Sequence, residues 1–365
     1  MRFLERERAT VAKLLPELDE SLRKLSLLEL EGPGDVGLRL FRDSGAPGLL
    51  VPADSRGRGA TAVDALRVQR ALGSRAPSLA VATAVHHFSM AALAVLSTDD
   101  NVVSMLVEGV ASTNDLAAFG FAEERPGAGV LSPSMTATEV PDGVRVSGVT
   151  RPRSLAHAMD LLIACVTVPR PDGAGEETAV ALVPAESEGV SVGPEGEQVT
   201  LDDVVVPPEL LVRTSDLDGH LDVLLAGGFA WYQLLMTGSH LGAASALVER
   251  VLRDDRVPES ERVGLLAEAE GAMAAAEGVA HRIDADGPDE STLADSLYVR
   301  YCVQDTLARV VPRAVELLGH LDSPASDEVG HLVTCADGLA SQPLAQPGMT
   351  GTLAAYQADG TLTIT

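Results

Sequence analysis

Apolar residues recur at helical spacing over residues 1 to about 30, where Leu4, Val11, Leu14, Leu15, Leu18, Leu22 and Leu25 lie opposite a charged face. The pattern predicts one helix, broken at Glu31-Gly-Pro-Gly34. A short helix is expected over 36–44, ending at Gly45. Ala46-Pro-Gly-Leu-Leu-Val-Pro52 then leads into a glycine-rich turn, Ser55-Arg-Gly-Arg-Gly59. Small-residue helices are expected over 61–73, 78–96 and 99–108, giving an all-α layer with closely packed interfaces.

The period changes after Phe119. A Gly/Pro-rich turn runs from Phe119 to Gly129. Two alternating segments, 134–140 and 143–147, flank Pro141-Asp-Gly143 and read as a β-hairpin. The polar stretch Gly148–Asp160 is followed by Leu161–Val168, an apolar run of buried-strand length. Further strands are expected at 178–183, 189–192 and from Val199, the last ended by Pro207-Pro208, since neither can donate to a ladder. From about residue 216 helical spacing returns: 221–253 with Trp231 and Tyr232, 261–283, 291–318 with Pro312 inside it, and a shorter 326–340. Long helices with short links read as a bundle. The tail, 356–365, alternates weakly and is expected to be frayed or a small added strand.

Composition narrows the partners. Aromatic residues make up only 3% of the 365, so the core must be Ala, Leu and Val, and the formal charge is −26. Nucleic acid and anionic membrane are disfavoured, because phosphate binding needs clustered Lys and Arg. Cys165, Cys302 and Cys335 lie far apart with no CxxC spacing, which argues against a disulfide framework or a metal site. The N-terminus mixes charge signs and no apolar run reaches membrane-spanning length, so a soluble cytoplasmic protein is expected. His86 and His87 sit in an otherwise apolar helix. Two readings stand: a satisfied structural pair, or one ring lining a pocket against the β module.

Helical block, β module and helical bundle, in that order and at this length, resemble the acyl-CoA dehydrogenase family. Gly48-Leu-Leu-Val-Pro52 with Gly57 and Gly59 is similar to the family's GLLVPEEYGGLG signature, and Glu124-Arg-Pro-Gly-Ala-Gly129 to its TEPxAGSD loop. Gly148–Asp160 is similar to GxKxxITNAxxAD, with Ser154 on the Thr/Ser position. Val199–Pro207 resembles xxLDDVRVP, Ala314–Gly319 resembles AxQIxGG, and His331–Asp337 resembles RxYRDAR. The resemblance implies an α+β fold: an N-terminal α-helical domain (1–117), a middle β-barrel domain (118–215) and a C-terminal four-helix bundle (216–365). It also implies FAD held by Phe121, Glu123, Arg125, Gly127, Gly129, Arg153 and Ser154. The substrate would be an acyl thioester carried by CoA or an acyl-carrier protein, in a specialised pathway, and the assembly a homodimer or homotetramer, with a hetero-oligomer also open.

The departures cluster where the chemistry would be. One family position for the catalytic glutamate falls on Gln342-Pro343, the other on Tyr232, and neither holds a carboxylate. Replacement candidates are His86, His87, Tyr232 and Glu124. The Thr of the TEP loop is Glu124, the aromatic-Ile pair before Ser154 is Pro152-Arg153, and the Gln at the adenosine end is Glu316. Arg125, Arg151 and Arg153 form a basic cluster, read either as surface pairing or as an anion site for flavin phosphates or a phosphopantetheine arm. The rival expectation is a flavin-free homologue, serving as a partner subunit or used for non-redox chemistry.

Overall fold

The computed structural model describes residues 2–96, 102–120, 133, 135–151, 155–194, 198–217, 221–319, 326–358, 360–362 and 364. The N-terminal layer holds α1 (Glu5–Leu14), α2 (Pro16–Leu22), α3 (Leu27–Leu30), α4 (Val36–Asp43), α5 (Ala62–Gly73), α6 (Pro77–Leu96) and α7 (Val102–Thr113). The single helix expected at the start is three. Leu15 leaves helical geometry at φ −135°, and Pro16, with no N–H to donate, restarts as the first residue of α2. Ser26 and Glu29 then form a reciprocal capping box that starts α3.

The β module comprises β1 (Ala117–Gly120), β2 (Met135–Val140), β3 (Gly143–Thr150), β4 (Leu161–Pro169), β5 (Glu176–Pro184), β6 (Val190–Val192), β7 (Val199–Val206) and β8 (Leu211–Arg213). They make one eight-stranded sheet in the order β6-β7-β3-β2-β4-β5-β8, with β1 also on β4. The β2–β3 hairpin places Val140 opposite Gly143, whose φ of 137° favours glycine. β4 changes neighbours along one edge. Leu161–Ala164 pair with β1 and Val166–Thr167 with β2, both parallel, while β5 lies antiparallel on the other edge. Partners on both edges and cover on both faces explain why β4 is apolar without alternation.

The bundle holds α8 (Leu221–Leu252), α9 (Glu259–Asp286), α10 (Glu290–Gly319), α11 (Ser326–Asp337) and α12 (Gln346–Gln357). α8 is the central pillar, packed against α5, α6, α9, α10 and α11. From Ala226 to Glu249 every residue except Trp231 is buried, as in a helix covered all round. A Cβ on Gly73 would stand 2.1 Å from the Ser239 carbonyl oxygen, and one on Gly242 2.5 Å from that of Arg70, so α5 and α8 meet backbone to backbone. α12 forms in a stretch for which no element was expected, ahead of the tail at 356–365, and its buried Met349 and Leu353 dock it on the core.

Buried charge ties α1 to this frame. Arg70 is fully buried on α5 and binds Glu7 (2.7 Å), Glu270 (2.8 Å) and Ser245 (3.1 Å), with the Phe3 ring 5.2 Å from its guanidinium carbon. Arg8 forks onto Glu249 at 2.7 and 2.8 Å. Among the described residues no helix is long and apolar enough to cross a membrane.

Candidate functional site

β1 ends at Gly120 and β3 at Thr150, and these ends touch. A Cβ on Gly120 would lie 2.6 Å from Thr150 Oγ1, so a larger residue would push the strands apart. Two sequence-distant segments therefore start from one place on the sheet. They carry Phe121, Glu123, Glu124, Arg125, Gly127 and Gly129, and Arg153 and Ser154, all outside the described residues. Arg151, at the second exit, is exposed. Glu316, on α10, has its carboxylate bound by Arg313.

Beside the junction stands an aromatic wall. Phe119, at the end of β1, lies 5.1 Å from Phe88 of α6, ring centroid to centroid. Phe88 is 5.7 Å from Phe229 and 5.4 Å from Tyr232, both on α8, and all four rings are buried. The one hydroxyl in this wall, that of Tyr232, donates to Gln342 Oε1 at 2.8 Å. The two positions where the family resemblance looks for a base are thus in direct contact, and both are neutral.

Gln342 is oriented by a chain of forced choices. His240 Nδ1 faces the Cys335 carbonyl at 2.5 Å and must donate to it, which leaves Nε2 as an acceptor. Gln342 Nε2 donates to that nitrogen at 3.3 Å, so its oxygen turns to Tyr232. Burial pushes the His240 ring down to about 4, which keeps it neutral. The backbone is fixed by Arg300 of α10. Its buried guanidinium donates to the carbonyls of Leu339 (2.9 Å), Gln342 (2.8 Å) and Pro343 (2.5 Å), and to the Gln233 amide oxygen. His240 and Arg300 carry no spacing signal in the sequence and were not among the residues it singles out.

The histidine pair divides. His86 donates from Nε2 to the Pro47 carbonyl (2.9 Å) and accepts the Ala117 N–H at Nδ1 (3.0 Å), joining α6 to the start of β1. Burial brings it down to about 4, and both nitrogens are occupied by backbone, which leaves it no proton to shuttle. His87 is fully buried beside Phe41, 5.6 Å between centroids, and neither nitrogen meets a hydrogen-bonding protein group. Burial holds it well below the usual histidine range. Among the described residues no group of three or more His, Cys, Asp or Glu could hold a metal.

No family model matches the chain. Among known proteins it is 39% identical over 382 residues, covering all of both chains, to the isobutylamine N-hydroxylase of Streptomyces viridifaciens. Its fold is that of FMN-bound TdsC, the dibenzothiophene monooxygenase of Paenibacillus sp. A11-2, with a TM-score of 0.75 at 16% identity over 100% and 99% of the two chains. Glutaryl-coenzyme A dehydrogenase superposes at 0.74 with 17% identity, over 100% and 96%. The chain shares its fold with these solved structures and belongs to the acyl-CoA dehydrogenase family of flavin-dependent oxidoreductases, as a relative of the isobutylamine N-hydroxylase over the whole of both chains.

Proposed function

We propose that this protein is a flavin-dependent monooxygenase that N-hydroxylates a small primary alkylamine. The observation that carries the proposal is the Tyr232–Gln342 hydrogen bond, which makes both family base positions a neutral pair in a buried aromatic setting. Thioester dehydrogenation needs a carboxylate to take the α-proton. Amine oxygenation needs the opposite. The nitrogen must offer its lone pair, so it must be free base rather than ammonium. A carboxylate beside it would hold the cation, whereas desolvation among Phe88, Phe229 and Tyr232 disfavours it.

The surroundings fit a planar aromatic cofactor. Both segments assigned to the flavin leave the sheet where Gly120 and Thr150 meet, next to the aromatic wall. Phe121, Glu123, Arg125, Gly127, Gly129, Arg153 and Ser154 are the residues that would hold it. Bound reduced flavin supplies two electrons, so that one atom of O2 joins nitrogen as the hydroxylamine and the other leaves as water. The chain's own task is to desolvate the amine, position it against the wall and withhold a counter-charge.

The test supplies the purified chain with FMN or FAD, a flavin reductase, NADH and oxygen, and follows hydroxylamine formation from isobutylamine and longer amines by mass spectrometry. A parallel arm offers acyl-CoA thioesters with an electron acceptor. Hydroxylamine and no enoyl product is the expected outcome; enoyl-CoA without hydroxylamine would overturn the reading. Flavin binding is read separately, as a rise in melting temperature on adding FMN or FAD.

A further inference from the structure

Arg70 and Arg300 are both completely buried, and the chain treats them in opposite ways. Arg70 faces two carboxylates, Glu7 at 2.7 Å and Glu270 at 2.8 Å. Among the described residues Arg300 faces none. Its terminal N–H groups go to the carbonyls of Leu339, Gln342 and Pro343 and to the Gln233 amide oxygen, all neutral acceptors. Its Nε–H meets no hydrogen-bonding protein group. The titratable groups described around it are Tyr232 and His240 on α8 and its neighbour Tyr301 on α10. Burial pushes Tyr301 up to about 12 and His240 down to about 4, so both are uncharged at neutral pH.

A buried ion left without a counter-charge is costly to the fold. Carbonyl oxygens need only N–H donors, which a neutral amide also offers, so the hydrogen bonds do not call for a cation. The place of the charge gives it a use. Arg300 binds the backbone of Gln342 and the side chain next in sequence to Tyr232, so a fixed positive charge stands directly behind the neutral pair. An interior screens such a charge poorly, and its field reaches both Tyr232 and His240. We propose that Arg300 is a positioning residue whose uncompensated charge, acting across the Tyr232–Gln342 pair, keeps the bound amine as free base by repelling the ammonium ion. The inference rests on the function proposed above and deepens it: the aromatic wall desolvates the amine, and Arg300 adds a repulsion that an apolar wall alone lacks. Alkylamines titrate near lysine, at about 10.4, so at neutral pH nearly every molecule that the site takes has a proton to lose.

Gln233→Glu is the decisive variant. It leaves Arg300 and its hydrogen bonds in place and supplies the carboxylate that Arg300 lacks. Arg300→Gln removes the charge and keeps an amide donor, whereas Arg300→Lys keeps the charge and loses the planar fork. Hydroxylamine formation is followed at saturating isobutylamine with flavin, flavin reductase, NADH and oxygen, where the acid limb of the kcat profile reports groups in the bound complex. Gln233→Glu and Arg300→Gln should both move that limb up by about one pH unit, which cuts kcat about tenfold on the limb and restores it as the pH rises. Arg300→Lys should keep the wild-type limb even where its melting temperature falls. A second readout needs neither flavin nor amine: the His240 ring, followed by NMR, should titrate higher in Gln233→Glu than in the wild-type chain. Hydroxylamine formed with the acid limb unmoved in Gln233→Glu would overturn the inference and leave N-hydroxylation standing. A His240 shift with no hydroxylamine from the wild-type chain would overturn the amine function, and the inference with it, while showing that the charge of Arg300 is uncompensated.

Discussion

Gln342 shows how much one amide can decide. Tyr232, His240 and Arg300 fix its side chain and backbone together, and replacing it by an acid disturbs each relation. In Gln342→Glu the carboxylate still accepts from Tyr232, but its second oxygen meets the His240 lone pair. It also offers the amine a counter-ion, and each unit by which that raises the amine's pKa cuts the free base about tenfold. Hydroxylamine formation should therefore fall about tenfold or more at pH 7 and recover as the pH is raised, measured as a kcat/KM profile. His240 tests the orientation from the other side. His240→Gln keeps an acceptor where Nε2 stands, whereas His240→Asn keeps only the donor to Cys335. The first should retain coupling between oxygen consumed and hydroxylamine formed, and the second should waste reduced flavin. The neutral character of positions 232 and 342 was legible in the sequence once the family pattern was laid over it. Their contact was not, since 110 residues separate them, and a lone histidine in a run of small residues gives no sign that it orients an amide.

Periodicity served the elements well where a face is buried along its whole length, as in α8, α10 and the β2–β3 hairpin. It failed where a few contacts outweigh composition. Over Gln346-Pro-Gly-Met-Thr-Gly351 no element was expected, yet α12 forms there because Met349 and Leu353 are drawn into the core. At the N-terminus the apolar spacing continues across Pro16, but the missing N–H ends the helix regardless. The α5–α8 crossing yields a stability prediction. Gly73→Ala forces a methyl onto the Ser239 carbonyl, 2.1 Å away, and should cost about 3 kcal/mol or more by chemical denaturation. Arg300→Leu strips three carbonyls and an amide oxygen of their donor. It should destabilise by roughly 3 kcal/mol or more and loosen the segment from Leu339 to Pro343 in hydrogen exchange.

At the scale of the molecule, buried neutral histidines set the response to acid. His86 and His240 are held at about 4 in the folded chain against 6.5 in the unfolded one, and burial holds His87 well below 6.5 as well. Between those values the unfolded chain binds more protons, so stability is complete above about 6.5 and is lost as the pH falls toward 4. Each ring contributes a slope of up to about 1.4 kcal/mol per pH unit inside that window. Melting temperatures taken from pH 7 to 4.5 should drop steeply, and His87→Leu should flatten the curve. That change also removes two ring nitrogens with no protein partner, so it should raise the melting temperature at pH 7. An unchanged slope would mean that His87 is protonated in the folded state.

The Arg70 knot has a consequence for biosynthesis. Its partners are made far apart: Glu7 precedes Arg70 by 63 residues and Glu270 follows it by 200. Until α9 leaves the ribosome, Glu7 is the one carboxylate on a cation that belongs in a dry interior. The helix that carries Glu7 should therefore stay open to protease on stalled nascent chains that end before about residue 300, allowing about 30 residues for the exit tunnel, and close only on those that end beyond it.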